Sequence, residues 1–405
     1  MSKIPDLGFW KLWNISFGFF GVQIAYALQS ANISRIFATL GADPHTLSFF
    51  WVLPPLMGMI VQPIVGSMSD KTWCKWGRRK PYLYIGAIVA VIVMALLPNS
   101  GSFDMTVKAA LAFGAIMLML LDTSINMAMQ PFKMMVGDMV NEEQKSLAYS
   151  IQSFLCNAGS LVGYIFPFVL TGIGISNIAP EGVVPDTVIF SFYAGAAILI
   201  LCVIYTTMKV KEYPPQLYAE YHGIKQEEKE EKTNVFKLLV KAPSAFWTVG
   251  LVQFFCWAAF MFMWTYTNGS VAFNAFDAPT VQNTVDGITR TVLDTTSEQY
   301  NAAGNWVGIL FAVQAVGSVL WAIVIPMFKN KKFIYSLSLV LGGIGFISTK
   351  FLADPYLLFI SFLLIGCAWA AMLALPFTIL TNSLSGGHMG TYLAFSMELS
   401  ACLRL

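Results

Sequence analysis

An acidic residue stands near the middle of an apolar run in this chain. The run MLMLLDTSINMAMQPFK, from Met117 to Lys133, carries Asp122, and a charged side chain at the centre of a bilayer costs about 2.5–3.5 kcal/mol. At about 100° per residue, Asn126 lies about 40° and Lys133 about 20° around a helix from Asp122. These side chains therefore share one face. The carboxyl group could carry a proton, since burial favours its neutral form and a nearby cation its charged form. The alternative is that Asp122 is a structural partner of a polar group on a neighbouring helix.

A second group of residues with chemical potential occupies the loop GSMSDKTWCKWGRRKP. Gly66 lets two helices approach closely, Asp70 can accept charge-assisted hydrogen bonds, and Arg78 and Arg79, after Gly77, supply planar donors. Such a cluster can latch a membrane protein in one state and release it in another. The alternative is a basic anchor at the membrane surface without a part in gating.

We call the latch that these residues would form the cytoplasmic gate. Lys133 and Asp138 are further candidates for it, because they follow Asp122 near the inner end of its helix. Snorkelling of the lysine to the membrane interface explains Lys133 equally well.

Long apolar segments must position these residues. Of 405 residues, 57% are hydrophobic and 11% are charged, against about 25% charged in a typical soluble domain. Segments of about 20 apolar residues can span the hydrocarbon core. The sequence predicts such spans at 12–38, 46–69, 81–97, 107–131, 147–171, 187–208, 245–268, 303–327, 333–349 and 356–381, and the start of another near Gly390. The predicted fold class is an all-α membrane protein.

The basic residues orient these spans. With the N-terminus in the cytoplasm, most of the 24 Lys and Arg residues fall in inner loops, and Arg35, Lys108, Arg290 and Lys350 fall on the outer side. The positive-inside rule therefore predicts a cytoplasmic N-terminus.

A polar, Lys- and Glu-rich segment divides the chain. We predict an N-terminal six-helix bundle over 1–208, a cytoplasmic linker with some helix over 209–244, and a C-terminal bundle over 245–405. A weak repeat favours two related halves: PFK at 131–133 precedes AYS at 148–150, and PFT at 376–378 precedes AFS at 394–396. The polar segment 269–301 is expected to form a partly ordered outer cap.

The loop from Gly66 to Pro81 resembles the signature loop of the major facilitator superfamily, G-x-x-x-D-…-G-R-[RK]-[RK]. The spacer between Asp70 and Gly77 is longer than in the superfamily pattern, and Pro81 follows the basic residues. In both features the loop resembles that of the glycoside–pentoside–hexuronide symporters, in particular their sucrose-transporter-like branch of proton–sugar symporters.

The segment LLDTSINMAMQPFKMMVGDM is similar to the fourth helix of that branch. Asp122, Asn126, Pro131 and Asp138 match the family pattern, whereas Lys133 stands where the family usually has arginine. Because lysine lacks the planar fork of arginine, this difference weakens the case for bidentate binding of a sugar or carboxylate at this position.

The resemblance implies a major facilitator fold of two pseudo-symmetric helical bundles, with about ten and a half of twelve transmembrane helices present. It implies a secondary active transporter, not an enzyme, that imports a disaccharide or other glycoside in symport with protons by alternating access. Asp122 would then be the proton-coupling carboxylate. We expect the sugar, H⁺ and membrane lipid as partners, no nucleic acid, no cofactor and a monomer. Short loops and the lack of a targeting sequence favour the bacterial inner membrane.

Sugar sites need amide, hydroxyl and aromatic partners. The candidates within the predicted spans are Gln23, Gln29, Asn126, Gln152, Asn157, Gln253, Trp257, Trp264 and Gln314. Each one alone is equally well explained as an interhelical hydrogen bond or an interfacial aromatic residue.

Two other functions remain open at this point. A proton-driven exporter of small molecules would favour an apolar cavity with few amides, and a non-transporting membrane sugar sensor would carry a large soluble output domain. The three histidines are too dispersed for a metal site, and the sequence contains no phosphate-binding loop for ATP.

The family-like pattern stops after the letters GTYL at 390–393. We expect a frameshift, because slipping the reading frame by one nucleotide permits Gly-Ile-Phe-Asn-Gly-Thr-Ile-Cys-Leu-Pro, which resembles the eleventh helix of the family. On this hypothesis helix 11 is cut short, helix 12 is absent, and Glu398 and Arg404 have no evolved role.

Overall fold

The computed structural model describes residues 4–43, 47–222, 244–285 and 288–383. The span predicted from Gly390, the later part of the second repeat at 394–396, and Glu398 and Arg404 lie outside these residues.

Helices dominate the described part of the chain. They are α1 (Phe9–Thr39), α2 (Leu47–Lys71), α3 (Lys80–Leu96), α4 (Val107–Met139), α5 (Glu142–Gly172), α6 (Asp186–Lys209), α7 (Pro215–His222), α8 (Ser244–Ala275), α9 (Glu298–Val324), α10 (Lys331–Ser348) and α11 (Leu358–Ser383). Short 3₁₀ turns at Leu97–Asn99 and Ile325–Met327 extend α3 and α9.

Nine of the helices in the described ranges are long and apolar enough to cross a membrane. Each of the ten full predicted spans coincides with a helix, and the nine after the first lie in helices with enough consecutive apolar residues to cross the hydrocarbon core. Helix α1 has 31 residues and is not one of these nine; its buried positions include the polar residues Gln23, Gln29 and Asn32.

Helix α4 is longer than its predicted span, which ended at Pro131. The structure continues the helix to Met139 with the proline inside it. A proline removes one helical hydrogen bond, but membrane helices tolerate it where neighbouring groups satisfy the freed carbonyl. As a result, Asp122, Lys133 and Asp138 all lie on one continuous helix.

The contacts divide the chain into two compact units. The first contains the described residues of Met1–Ser30, Met57–Phe166 and Val188–Lys232, and the second contains those of Ala31–Leu56, Pro167–Thr187 and Thr233–Leu405. The division into bundles over 1–208 and 245–405 stays a prediction.

Close helix packing defines the first unit. Helix α3 packs along α4, and α5 crosses α1 at Gly159 and Gly163. A Cβ atom at either glycine would clash with a backbone oxygen of α1, that of Phe20 or Ile24. The small residues therefore allow the two backbones to touch, as in other membrane helix pairs.

The second unit contains α8 to α11, with α11 packed against the other three. The strands β1 (Thr280–Val285) and β2 (Ile288–Leu293) pair antiparallel, with Thr280 opposite Leu293. This hairpin lies in the segment that was expected to form a partly ordered outer cap, and its Arg290 forms an ion pair with Asp43.

Candidate functional site

Asp122 lies on the buried side of α4, where the residue is 2% exposed. Nδ2 of Asn126, one turn later, donates to Asp122 Oδ2 at 2.7 Å and to the Asp122 backbone oxygen at 2.9 Å. Nε2 of Gln29 on α1 donates to Asp122 Oδ1 at 3.4 Å. The shared face of Asp122 and Asn126 that the sequence indicated is thus present as a direct hydrogen bond, and Gln29 joins it.

A row of amides, which we call the amide row, continues from Asn126. Nε2 of Gln62 on α2 donates to Asn126 Oδ1 at 2.6 Å, and Nε2 of Gln130 donates to Gln62 Oε1 at 2.5 Å. Each of the three amides therefore turns its nitrogen toward Asp122 and its oxygen away. An ionised carboxylate, which only accepts hydrogen bonds, favours this order at its end of the row.

Gln62 and Gln130 were not among the residues predicted from the sequence. Gln130 follows Asn126 by four residues, so the helical spacing that connected Asp122 with Asn126 could have identified it. Gln62 carries no comparable signal, since it is a single amide in an apolar span and its partner lies on another helix.

The amide row suits a hydroxyl-bearing ligand. Each amide both donates and accepts hydrogen bonds, and so does a sugar hydroxyl. Gln62 and Gln130 are partly buried rather than fully enclosed, so part of each side chain remains accessible.

The other candidates of the first unit form hydrogen bonds between or within helices. Gln23 accepts from Ser160 Oγ at 3.5 Å, and Gln152 donates to the backbone oxygen of Phe132 at 3.1 Å. Asn157 donates to the backbone oxygen of Ser153 on its own helix at 2.8 Å. The structure does not bring these three side chains into the hydrogen-bonded group around Asp122, and their roles in binding stay predictions.

Two candidates of the second unit, Trp257 and Trp264, belong to an aromatic cluster. The rings of Trp257 and Trp264 both lie 5.8 Å from that of Trp369 on α11, in edge-to-face geometry, and Trp51 stacks on Trp264 at 5.9 Å. Gln253 donates to the backbone oxygen of Met372 at 2.9 Å.

Trp369, which contacts both Trp257 and Trp264, was not among the candidates predicted from the sequence. Gln314, on α9, is buried. The aromatic faces of the cluster could pack against apolar C–H groups of a ligand, but these assignments stay predictions.

The predicted gate residues form a connected cluster in the first unit. Asp70 accepts from Arg78 at 2.6 Å and from Arg79 at 2.8 Å, and Nε of Arg79 also donates to Asp138 at 2.8 Å. We call these four residues the inner cluster. It joins α2, the loop before α3, and α4. At Gly66 an added Cβ would lie 3.2 Å from Met134, so this glycine does allow α2 to approach α4 closely.

Glu212, just after α6, completes the inner cluster and was missed. Its carboxylate accepts from the backbone N–H groups of Arg78, Arg79 and Lys80 at 2.7 to 3.1 Å. These are free donors at the start of α3, where a negative charge is favourable. Gly77 permits the approach, because its φ is +115° and a Cβ there would lie 2.6 Å from the glutamate. Glu212 belongs to the segment that was expected to be a solvated linker, so no local pattern marked it.

Tyr218 on α7 and Trp73 enclose the Arg78 guanidinium at 4.6 and 5.3 Å from their ring centres. The Tyr218 hydroxyl donates to Asp138 at 3.2 Å. Burial and the negative charge of Asp138 raise the pKa of Tyr218, so the hydroxyl remains a donor at neutral pH. Lys133, the remaining gate candidate, is exposed. Its role in gating stays a prediction.

A buried arginine dominates the polar core of the second unit. Arg35 is 0% exposed. One terminal nitrogen donates to Asn305 at 2.8 Å, and the other donates to Asn177 at 3.0 Å and Asn301 at 2.9 Å. Among the residues that the structure describes, no carboxylate forms an ion pair with Arg35. We call these four residues the arginine cluster. Gly304 makes room for the guanidinium, since a Cβ there would lie 2.7 Å from it.

No group of three or more His, Cys, Asp or Glu side chains that could hold a metal ion occurs in the described ranges.

The family model of MFS/sugar transport proteins matches residues 16–278. The chain belongs to this family. The sequence-based assignment to the major facilitator superfamily and its sucrose-transporter-like branch is therefore confirmed, and the family is one of transporters rather than enzymes.

Two curated relatives illustrate the branch. Sucrose transport protein SUT1 of Oryza sativa subsp. japonica is 30% identical over 220 residues, which cover 48% of this chain and 39% of the rice protein. Proton-associated sugar transporter A of Mus musculus is 24% identical over 168 residues, which cover 40% of this chain and 22% of the mouse protein. The aligned region thus spans less than half of either relative's length.

Solved structures confirm the fold class. The nucleoside transporter NupG matches 98% of this chain with a TM-score of 0.69 at 13% identity, and the match covers 89% of NupG. The D-xylose–proton symporter matches 97% of this chain and 86% of its own length, with a TM-score of 0.62 at 13% identity. The protein is a multi-pass integral membrane protein with the major facilitator fold.

Proposed function

We propose that this chain is a secondary active transporter that imports a disaccharide or other glycoside together with protons. The observation that carries the proposal is the buried carboxyl group of Asp122, hydrogen-bonded to Asn126 and Gln29 within a membrane helix. Such a group is costly in a membrane and marks a functional site by default. The printed names of the relatives, a sucrose transport protein and a proton-associated sugar transporter, support sugar and proton as the transported pair.

Asp122 would carry the proton. The side chain is charged when it accepts from two amides and neutral after it takes up a proton from water. Because the two forms require different hydrogen-bond partners, a proton on Asp122 changes what the adjacent amides can offer to a ligand. That change is the coupling step of the proposed cycle.

The amide row would bind sugar hydroxyl groups. Asn126 is bonded to Asp122 on one side and to Gln62 on the other, so it connects the proton site with the rest of the row. Binding there would respond directly to the protonation of Asp122.

The inner cluster would act as a latch within the first unit. Its ion pairs and the cap that Glu212 provides hold α2, α3, α4 and the start of the linker together. Breaking these bonds would be part of the alternating-access cycle. We further propose a cytoplasmic N-terminus, which the loop charges support, and a bacterial inner-membrane location, which the short loops support. A monomer stays a prediction.

The experiment is uptake into proteoliposomes under an imposed inward proton gradient. Radiolabelled sucrose and maltose are the probes, and Asp122→Asn is compared with Glu181→Gln, which neutralises an exposed carboxylate between α5 and α6. The proposal expects gradient-driven accumulation that Asp122→Asn abolishes and Glu181→Gln leaves intact.

Other outcomes select between the alternatives. Accumulation that survives Asp122→Asn would overturn its role as proton carrier. Binding of either sugar without flux would indicate a sensor. Outward movement of small amphipathic molecules, driven by the inward proton gradient and without sugar flux, would indicate an exporter.

A further inference from the structure

The two amides that donate to the Asp122 carboxyl group do so at unequal distances. Oδ2 accepts from Asn126 at 2.7 Å, which is the length of a strong charge-assisted hydrogen bond. The bond from Gln29 to Oδ1 is 3.4 Å long, at the limit of a hydrogen bond. The Gln29 amide therefore does little to stabilise the ionised carboxylate in its present orientation.

The other end of the same amide is unused. Oε1 of Gln29 is buried, and it accepts no hydrogen bond from any residue in the described ranges. The residue is 2% exposed. A buried amide oxygen without a donor is unusual and calls for an explanation.

Protonated Asp122 would supply the missing donor. A protonated carboxyl group has an O–H that must donate and a second oxygen that can still accept. Half a turn of the Gln29 side-chain amide exchanges the positions of Nε2 and Oε1, which places Oε1 next to Oδ1. The proton on Oδ1 would then be donated to Oε1, while Oδ2 continues to accept from Asn126.

Asn126 cannot perform this exchange at the same low cost. Its Nδ2 is bonded both to the Asp122 carboxylate and to the Asp122 backbone oxygen, and its Oδ1 accepts from Gln62. Turning this amide would break three hydrogen bonds, whereas turning Gln29 breaks one long one.

We infer that Gln29 is the positioning residue that holds the protonated form of Asp122, by turning its amide to accept the hydrogen bond of the carboxyl proton. The inference rests on the proposed role of Asp122 as the proton site and identifies the group that reads its state. Since Gln29 lies on α1 and Asp122 on α4, protonation would replace a weak contact between these helices by a short hydrogen bond.

Other titratable side chains lie on the two helices that carry this pair and on α5. Tyr26 precedes Gln29 by three residues on α1, and Tyr164 on α5 interacts electrostatically with Tyr26. On α4, Lys133 and Lys108 are eleven and fourteen residues from Asp122, about 16 and 21 Å along the helix axis. Arg35 follows Gln29 by six residues on α1.

Infrared difference spectroscopy tests the inference without any sugar. The purified protein in lipid is titrated from alkaline to acidic pH, and the C=O stretching band that appears is assigned to Asp122 by its loss in Asp122→Asn. The inference expects the frequency of a carboxyl group that donates a hydrogen bond in the unmodified protein. In Gln29→Met, which keeps the side-chain length without polar atoms, the band should move to the higher frequency of a carboxyl group that donates none.

Gln23→Met is the matched control, because Gln23 is a buried glutamine on the same helix that bonds to Ser160 instead. It should leave the Asp122 band in place. An unchanged band in Gln29→Met would overturn the role of Gln29 while leaving Asp122 as the proton site. A band that is absent from the unmodified protein, or insensitive to Asp122→Asn, would overturn both the role of Asp122 and the inference. If Gln29→Met does not fold, the band frequency of the unmodified protein still decides whether the carboxyl proton is donated.

Discussion

Asp122 in the first unit and Arg35 in the second are both buried charges held by side-chain amides, yet only the aspartate can lose its charge. Asp122 accepts from Asn126 and Gln29, and Arg35 donates to three asparagine oxygens. A carboxyl group can be protonated in a suitable environment, whereas a guanidinium stays charged in proteins. The same kind of amide solvation can therefore serve a switch in one unit and a permanent brace in the other.

The hydrogen-bond geometry agrees with this division. All three acceptors of Arg35 lie between 2.8 and 3.0 Å, and they come from the loop after α5 and from α9. At Asp122 the bond from Asn126 is short and the bond from Gln29 is long. A brace gains from uniformly good bonds, while a proton site needs an oxygen that a proton can occupy.

The largest effect on stability is expected from Arg35→Met. The change leaves the oxygens of Asn177, Asn301 and Asn305 without their charged donor, and we expect a loss of about 3 kcal/mol in the free energy of unfolding. Thermal unfolding in detergent should show it, with the same loss from about pH 5 to 8 because the guanidinium does not titrate there. Arg290→Met, at a half-exposed ion pair, is the control and should cost less than about 1 kcal/mol.

If the loss of stability in Arg35→Met depended strongly on pH, or if there were no loss, Arg35 would not be a permanent brace and the contrast with Asp122 would fail.

Arg35→Lys sharpens the same contrast with a smaller effect. The charge is kept, but a compact ammonium cannot reach three acceptors in the plane of a guanidinium fork. We expect a loss of about 1–2 kcal/mol, intermediate between the unmodified protein and Arg35→Met. Stability equal to that of the unmodified protein would show that charge alone, without the fork geometry, holds this region.

Gln62→Leu tests the amide row. It removes the donor to Asn126 and the acceptor of Gln130, so we expect a loss of about 1 kcal/mol in stability. The apparent affinity for the transported sugar should fall as well, since the row would bind hydroxyl groups. Initial uptake rates over a series of sucrose and maltose concentrations measure this, and an unchanged concentration dependence for the transported probe would exclude the row from the binding site.

The smallest change in stability is expected from Asp122→Asn. The substitution is nearly isosteric, and the removal of a buried charge offsets the weakening of the hydrogen bond from Asn126, so the free energy of unfolding should change by less than about 1 kcal/mol. Loss of stability on the scale of Arg35→Met would instead make Asp122 a structural residue, and the two buried charges would then be alike.

The helices were accessible from the sequence because apolar length alone decides them. The shared face of Asp122 and Asn126 was also accessible, because it follows from helical spacing within α4. The end of α4 was placed too early, at Pro131, because a proline usually ends a helix in water, whereas inside a membrane protein neighbouring groups compensate for it.

The remaining site residues depend on contacts between distant parts of the chain. Arg35 and Asn301 are 266 positions apart, and nothing near either residue indicates the pairing. Glu212 caps a helix that begins more than a hundred residues earlier, so its position in a polar linker suggested solvation instead. Sequence patterns report on one element at a time, and such tertiary hydrogen bonds have no local signature.

The most direct test of the central claim is sugar-induced proton movement. Proteoliposomes without an imposed gradient are suspended in weakly buffered medium, sucrose or maltose is added, and the external pH is recorded beside sugar exchange. The account predicts alkalinisation with the unmodified protein and none with Asp122→Asn, while exchange of labelled for unlabelled sugar persists in the variant. Sugar entry without alkalinisation in the unmodified protein, or equal alkalinisation in Asp122→Asn, would contradict it.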